Sequence, residues 1–160
     1  LEWIGSRRMS GARLHAMPHL RPVRFRAGAL GLARPDAPLL VSPDHRIVLQ
    51  GPQARDLFNC DEVLVAAKDL INGRSVASDM SLREVTYIHV LLAEHQVMWA
   101  NGVETESFHP ASAPLTSLGA QDRARLLAAH PQLEADPHSY GGFARRNLST
   151  SEAAILRHVA

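Results

Sequence analysis

One stretch, residues 84–110 (EVTYIHVLLAEHQVMWANGVETESFHP), restricts the folds open to this chain more than any other. Val, Tyr, Ile, Thr and Trp crowd two apolar runs, 85–92 and 97–100, and such side chains suit a pleated, half-buried surface. The polar residues 93–96 separate the runs. Asn101-Gly102 is a dipeptide that tight hairpins favour, because both positions tolerate positive φ. The expectation is a three-stranded meander over 85–92, 97–100 and 103–108. A meander has a face to cover, and the β-rich segments at 21–26 and 39–50 are there to cover it.

Short elements make up the rest. Residues 1–4 read as a short strand followed by loop, and Val23 and Phe25 alternate with Arg24 and Arg26 as in a strand with one wet face. Residues 39–41 and 47–49 read as strands on either side of Ser42-Pro43-Asp44-His45, where Pro43 keeps Ser42 extended and the Asp and Ser side chains favour a turn. His45 therefore stands at the mouth of a tight corner. Residues 52–58 read as a helix begun by Pro52, 62–66 as a strand, 67–72 as a short helix closed by Gly73, and 75–83 as a polar connection. Beyond Pro110 the composition shifts. Residues 111–116 form a Pro-containing linker, 117–129 an amphipathic helix stopped by Pro131, 133–148 an irregular stretch, and Thr150 or Ser151 caps a final helix. The fold class expected is mainly β over residues 1–110, with a short α-helical C-terminal tail over 111–160.

At 160 residues the chain has one domain's worth of core to bury, and a net charge of +1 gives no electrostatic footprint for nucleic acid. A single cysteine, Cys60, excludes an internal disulfide and a Cys-based zinc site, and it reads as a small half-buried side chain. No apolar run approaches the ~20 residues a membrane span needs. Nine histidines invite a metal reading, but HExxH is absent and Pro18 interrupts the helix-spaced pair His15 and His19. No metal and no cofactor are expected. Nor is there a GxSxG nucleophile motif. What remains as candidate chemistry is His45 on its corner, His95 between the two apolar runs, and Glu106-Ser107-Phe108-His109 beyond the Asn101-Gly102 turn.

In that order these residues resemble the Hint domain, the Hedgehog/intein self-processing module, and most closely its bacterial branch. Residues 41–49 are similar to the Hint segment in which a Thr-x-x-His motif opens a strand, with Ser42 at the Thr position and His45 as the motif His. Residues 85–103 are similar to the later segment, in which a Tyr-containing strand is followed by a His-containing bend and then Ala-Asn-Gly. Here these are Tyr87, His95 and Ala100-Asn101-Gly102, and the similarity extends over about residues 1–160. It implies a Hint-like β fold and a catalytic set of His45, Ser42 and His95. In the family a Cys or Ser at the head of the domain attacks the preceding carbonyl. By that likeness His45 protonates the departing amide nitrogen, and Ser42 helps hold the strained peptide and its oxyanion.

The family nucleophile belongs upstream of Leu1. The chain is therefore expected to be N-terminally incomplete, with its own upstream polypeptide as substrate and partner and with unpaired strand edges where the first strands belong. Ile88 stands where many inteins carry an acidic residue, and Glu106-Ser107 where splicing inteins end in His-Asn. Cleavage or acyl transfer is thus expected rather than full splicing. The resemblance leaves a second reading open, a non-catalytic extracellular or interaction module in which His45 and His95 only tie strand ends together.

Overall fold

Alternation within the strands and a few long-range ladders set the architecture of the computed structural model, which describes residues 1–159. The side chain of His158 lies outside the described residues. In chain order the strands are β1 (Trp3–Ser10), β2 (Val23–Phe25), β3 (Leu39–Val41), β4 (Arg46–Gln50), β5 (Glu62–Ala66), β6 (Val76–Ser78), β7 (Glu84–Leu91), β8 (Val97–Ala100), β9 (Val103–Glu106) and β10 (Arg146–Asn147). Among the described residues they form three sheets: β10-β5-β4-β9-β8, β3-β2-β6 and β1-β7. The fold is mainly β, as the sequence leads one to expect, without a closed barrel. Helices α1 (Gly11–Ala16), α2 (Pro52–Phe58), α3 (Ala120–Ala129), α4 (Gln132–Ala135) and α5 (Thr150–Val159) are short.

The expected meander is split. β8 and β9 do form a hairpin through Asn101 (φ 48°) and Gly102 (φ 72°), the left-handed pair that a tight turn requires. β7 instead pairs antiparallel with β1, from Trp3 opposite Leu91 to Ser10 opposite Glu84. The reason lies in the connection: it carries His95 into the interior at 4% exposure while residues 93, 94 and 96 stay exposed, and β8 departs into another sheet. The same pairing extends β1 to residue 10, past Gly5, Ser6, Arg7 and Arg8, whose weak strand propensity is overridden by a full ladder. At Gly5 a side chain has no room, since a Cβ there would fall on the Trp3 ring.

Other differences are smaller. Residues 11–16, read as loop, form α1, because Ser10 caps it by accepting the Arg13 amide at 3.4 Å. Residues 67–72 make only a 3-10 turn, Ala67–Leu70. The polar connection at 75–83 contains β6, which pairs with β2, and the irregular stretch 133–148 contains β10, which runs parallel to β5.

Two cores result. One gathers Val23, Phe25, Ile47, Val63, Val65 and Val103 from the larger sheets, with Leu148, Ala153 and Leu156 packed on them from the C-terminal segment. The other joins Trp3, Leu91 and Phe108 to Leu118, Leu126 and Leu133. Each fully buried Leu contributes ~1.5–3 kcal/mol. Between the cores, where β9 ends and Phe108 begins the second, a cleft opens.

Candidate functional site

The corner between β3 and β4 is fixed from two sides. The His45 amide donates to the Ser42 carbonyl (3.1 Å), closing the turn that Ser42, Pro43 and Asp44 favour. From the far side the Ala67 and Lys68 amides donate to the His45 and Pro43 carbonyls, both at 2.9 Å. The Asp44–Lys68 ion pair (2.6 Å) is exposed and adds little. With the backbone held, Ser42 and His45 line a small cleft of about 60 Å³ together with His89, Glu106, Ser107 and His109.

β9 delivers Glu106 through its ladder with β4, where Ile47 stands opposite Thr105. Glu106 is only 4% exposed, because at the strand end its side chain turns back onto β4 and Oε1 accepts the Arg46 amide at 3.0 Å. Its other oxygen, Oε2, lies 3.3 Å from His95 Nε2 but accepts no well-formed hydrogen bond.

The histidines divide by what their ring nitrogens do. His95 Nδ1 accepts the Ala144 amide (2.9 Å), which leaves the ring proton on Nε2, where it is donated to the Ser107 carbonyl (3.0 Å). His109 is committed in the same way: Nδ1 accepts the Ala111 amide and Nε2 donates to the Gly141 carbonyl, both at 3.1 Å. Phe143 lies against its ring at 4.0 Å between centroids, and burial holds the His109 pKa below its ordinary value. His45 differs. Neither of its ring nitrogens hydrogen-bonds to any described residue. Burial pushes its imidazole pKa down, the Glu106 carboxylate pulls it up, and His95 lowers it further. At neutral pH the ring is a free, uncharged base beside a buried carboxylate.

His89 turns off β7 onto Phe108, with ring centroids 5.0 Å apart. Burial pushes its pKa down to about 4, His45 and Arg7 add to the fall, and Asp122 opposes it. Its neighbour Ile88 is 66% exposed at the rim, so strand alternation separates the two side chains. Tyr87 stands apart from the His45 cleft: its hydroxyl donates to the Leu20 carbonyl at 2.6 Å, and burial raises its pKa to about 12.

Of the three residues singled out in the sequence, Ser42 and His45 share one wall, while His95 stands a layer behind and meets the cleft through Glu106, Ser107 and the edge-on ring of His109. The linker at 111–116 is more than a spacer, since Ser112 and Ala113 line the same cleft. The role of Glu106 as the buried acid was missed; the signal that reveals it is the pairing of segment 39–50 with 103–108, which sets the end of the second beside the corner of the first. Among the described residues no group of three or more His, Cys, Asp or Glu side chains is placed to hold a metal ion, and no helix is long and apolar enough to cross a membrane.

Comparison with known proteins gives one match. None of the curated proteins and none of the solved structures matches the chain. A family profile described as the Hint domain matches residues 1–112. That span contains the Ser42–His45 corner and the strands β7, β8 and β9 that line its cleft, and on that footing the chain belongs to the Hint domain family.

Proposed function

We propose that this chain is the His-bearing part of a self-processing domain whose substrate is its own upstream polypeptide. The observation that supports this reading best is the contrast among the histidines at the site: His95 and His109 have both nitrogens committed to backbone groups, whereas His45, on the Ser-x-x-His corner, lines the cleft, as His89 does, with neither ring nitrogen in a hydrogen bond to a described residue. In the reaction a Cys thiol or Ser hydroxyl upstream of Leu1 attacks the carbonyl that precedes it. A C–S or C–O bond forms, the C–N bond breaks, and the amide nitrogen leaves as an amine with a proton from His45. The proton lost by the nucleophile restores the balance. Ser42 holds the scissile peptide and its oxyanion, and His95 acts from behind as a positioning group. With Glu106-Ser107 in place of a terminal His-Asn, the outcome is cleavage or acyl transfer and not splicing.

The test uses the full-length protein. Incubation with a small thiol should release the upstream segment, followed by mass spectrometry, and His45→Ala should slow release by ~10²–10⁴. Wild-type protein that carries an upstream Cys or Ser and releases nothing would overturn the reading. It would favour the second one, a non-catalytic interaction module, which draws its support from the purely structural bonding of His95 and His109.

A further inference from the structure

We infer that Glu106 is the positioning carboxylate for His45: it stabilises the imidazolium that His45 must become, and the Arg46 amide holds Glu106 in place. The inference deepens the self-processing reading and rests on it for its role, though not for its geometry. A general acid that starts uncharged must first take up a proton, and in a cleft closed by Phe108 and Met98 that charge is costly unless an anion is already there. Glu106 is that anion. One of its oxygens is engaged by the Arg46 amide, one residue along from His45, so the carboxylate cannot turn away from the corner. The other has no hydrogen bond of its own, although it is buried. A buried carboxylate oxygen without a donor is costly to maintain, and an imidazolium at 45 supplies the missing partner.

The surrounding groups make the choice of partner specific. His95 cannot serve as a second proton carrier without breaking its bond from the Ala144 amide, since Nδ1 is the acceptor there. Its Nε2–H is directed at the Ser107 carbonyl, with Glu106 Oε2 next to it at 3.3 Å. His109 is bound at both nitrogens, and His89 packs its ring on Phe108. Of the other charges nearby, Asp44 is paired with Lys68 in solvent, and the Arg46 guanidinium donates to the Leu148 carbonyl at 3.2 Å. His45 is thus the one ring of the cleft with both a free nitrogen and Glu106 as its electrostatic partner.

Two measurements on the 160-residue chain itself test this. Histidine side chains labelled with ¹⁵N report each ring's titration midpoint and tautomer. Glu106→Gln should lower the His45 midpoint by about 1 unit or more, while His95 keeps its proton on Nε2, and Glu106→Asp should restore a substantial part of the shift. In the unmutated chain, the ¹³C signal of the Glu106 carboxyl should move at the His45 midpoint, a readout that needs no variant to fold. A His45 midpoint unmoved in Glu106→Gln, or a Glu106 carboxyl blind to the His45 titration, overturns the pairing. Neither readout depends on cleavage: a full-length protein that fails to process while His45 and Glu106 titrate together sinks only the self-processing reading, and processing with the two groups uncoupled sinks only the pairing.

Discussion

His89 shows how a single side chain can tie stability to acidity. Held neutral against Phe108, it has a folded pKa of about 4, whereas in the unfolded chain the imidazole titrates near its ordinary value of about 6.5. Between those values the unfolded state binds a proton that the folded state refuses, so stability rises with pH across the window and is lost as pH falls through it. The ceiling for such a shift is ~3 kcal/mol, and partial exposure of the ring reduces it. Thermal melts followed by circular dichroism should show the midpoint dropping progressively from pH 6.5 to 4, and His89→Gln should flatten that slope. His45 and His109, whose pKa values are also lowered by burial, leave a residual slope in the variant. Asp79, where burial pushes the pKa up but hydrogen bonds outweigh it, and Glu152, held down by hydrogen bonds, both lie at about 2 and act only at lower pH, where protonating them removes the stability they supply. The Ser42-Pro43-Asp44-His45 corner was legible at this scale because each residue type has a local turn preference. The fate of each ring nitrogen was not, since the Ala144 and Gly141 backbone groups that bind His95 and His109 come from 49 and 32 residues away.

Among the elements, the two-stranded β1–β7 ribbon is the one that needs help, because a lone pair of strands is at best marginally stable in water. α3 supplies it. The Trp3 indole donates to the Asp122 carbonyl at 3.2 Å, the Ser6 amide to the Asp122 carboxylate at 2.6 Å, and Leu126 sits fully buried beneath, with Trp3 and Leu91 in the same core. Leu126→Ala should therefore cost ~2–5 kcal/mol in urea unfolding, a larger loss than an exposed position of the same helix would give. A loss under ~1 kcal/mol would show that α3 merely rests on the ribbon. Element types were mostly readable: α2, β5 and the β8–β9 hairpin follow from Pro52, from the apolar run at 62–66 and from Asn101-Gly102. Pairing was less so. β7 has an apolar neighbour in sequence at 97–100 and a polar-looking partner in Gly5 to Arg8, and only the burial of His95 in the connection decides for the second.

Over the whole molecule, the segment after Pro110 is woven into both cores and into the site. Leu118, Leu126 and Leu133 complete one core, and Leu148, Ala153 and Leu156 the other, while β10 adds an edge strand to β5. A chain ended at Ser112, the limit of the family match, exposes all of these faces, and it should melt without a cooperative transition and bind a hydrophobic dye that the 160-residue chain does not. A sharp, dye-free melt of the shortened chain would show that the segment only decorates a finished fold. Sequence patterning reads such a segment as a tail because its helices are short and its apolar residues sparse. The contacts that make it integral are single leucines spread over about forty residues, too thinly spaced to register as a period.

The Ala144 amide that fixes the proton on His95 carries a consequence in time. Ribosomes deliver residue 95 well before residue 144, and until the later peptide group is seated only the Ser107 carbonyl biases the His95 ring toward one nitrogen over the other. On the proposed self-processing reading, seating of this peptide group would come before cutting: a chain not yet made as far as residue 144 holds His95 without the bond that sets its tautomer.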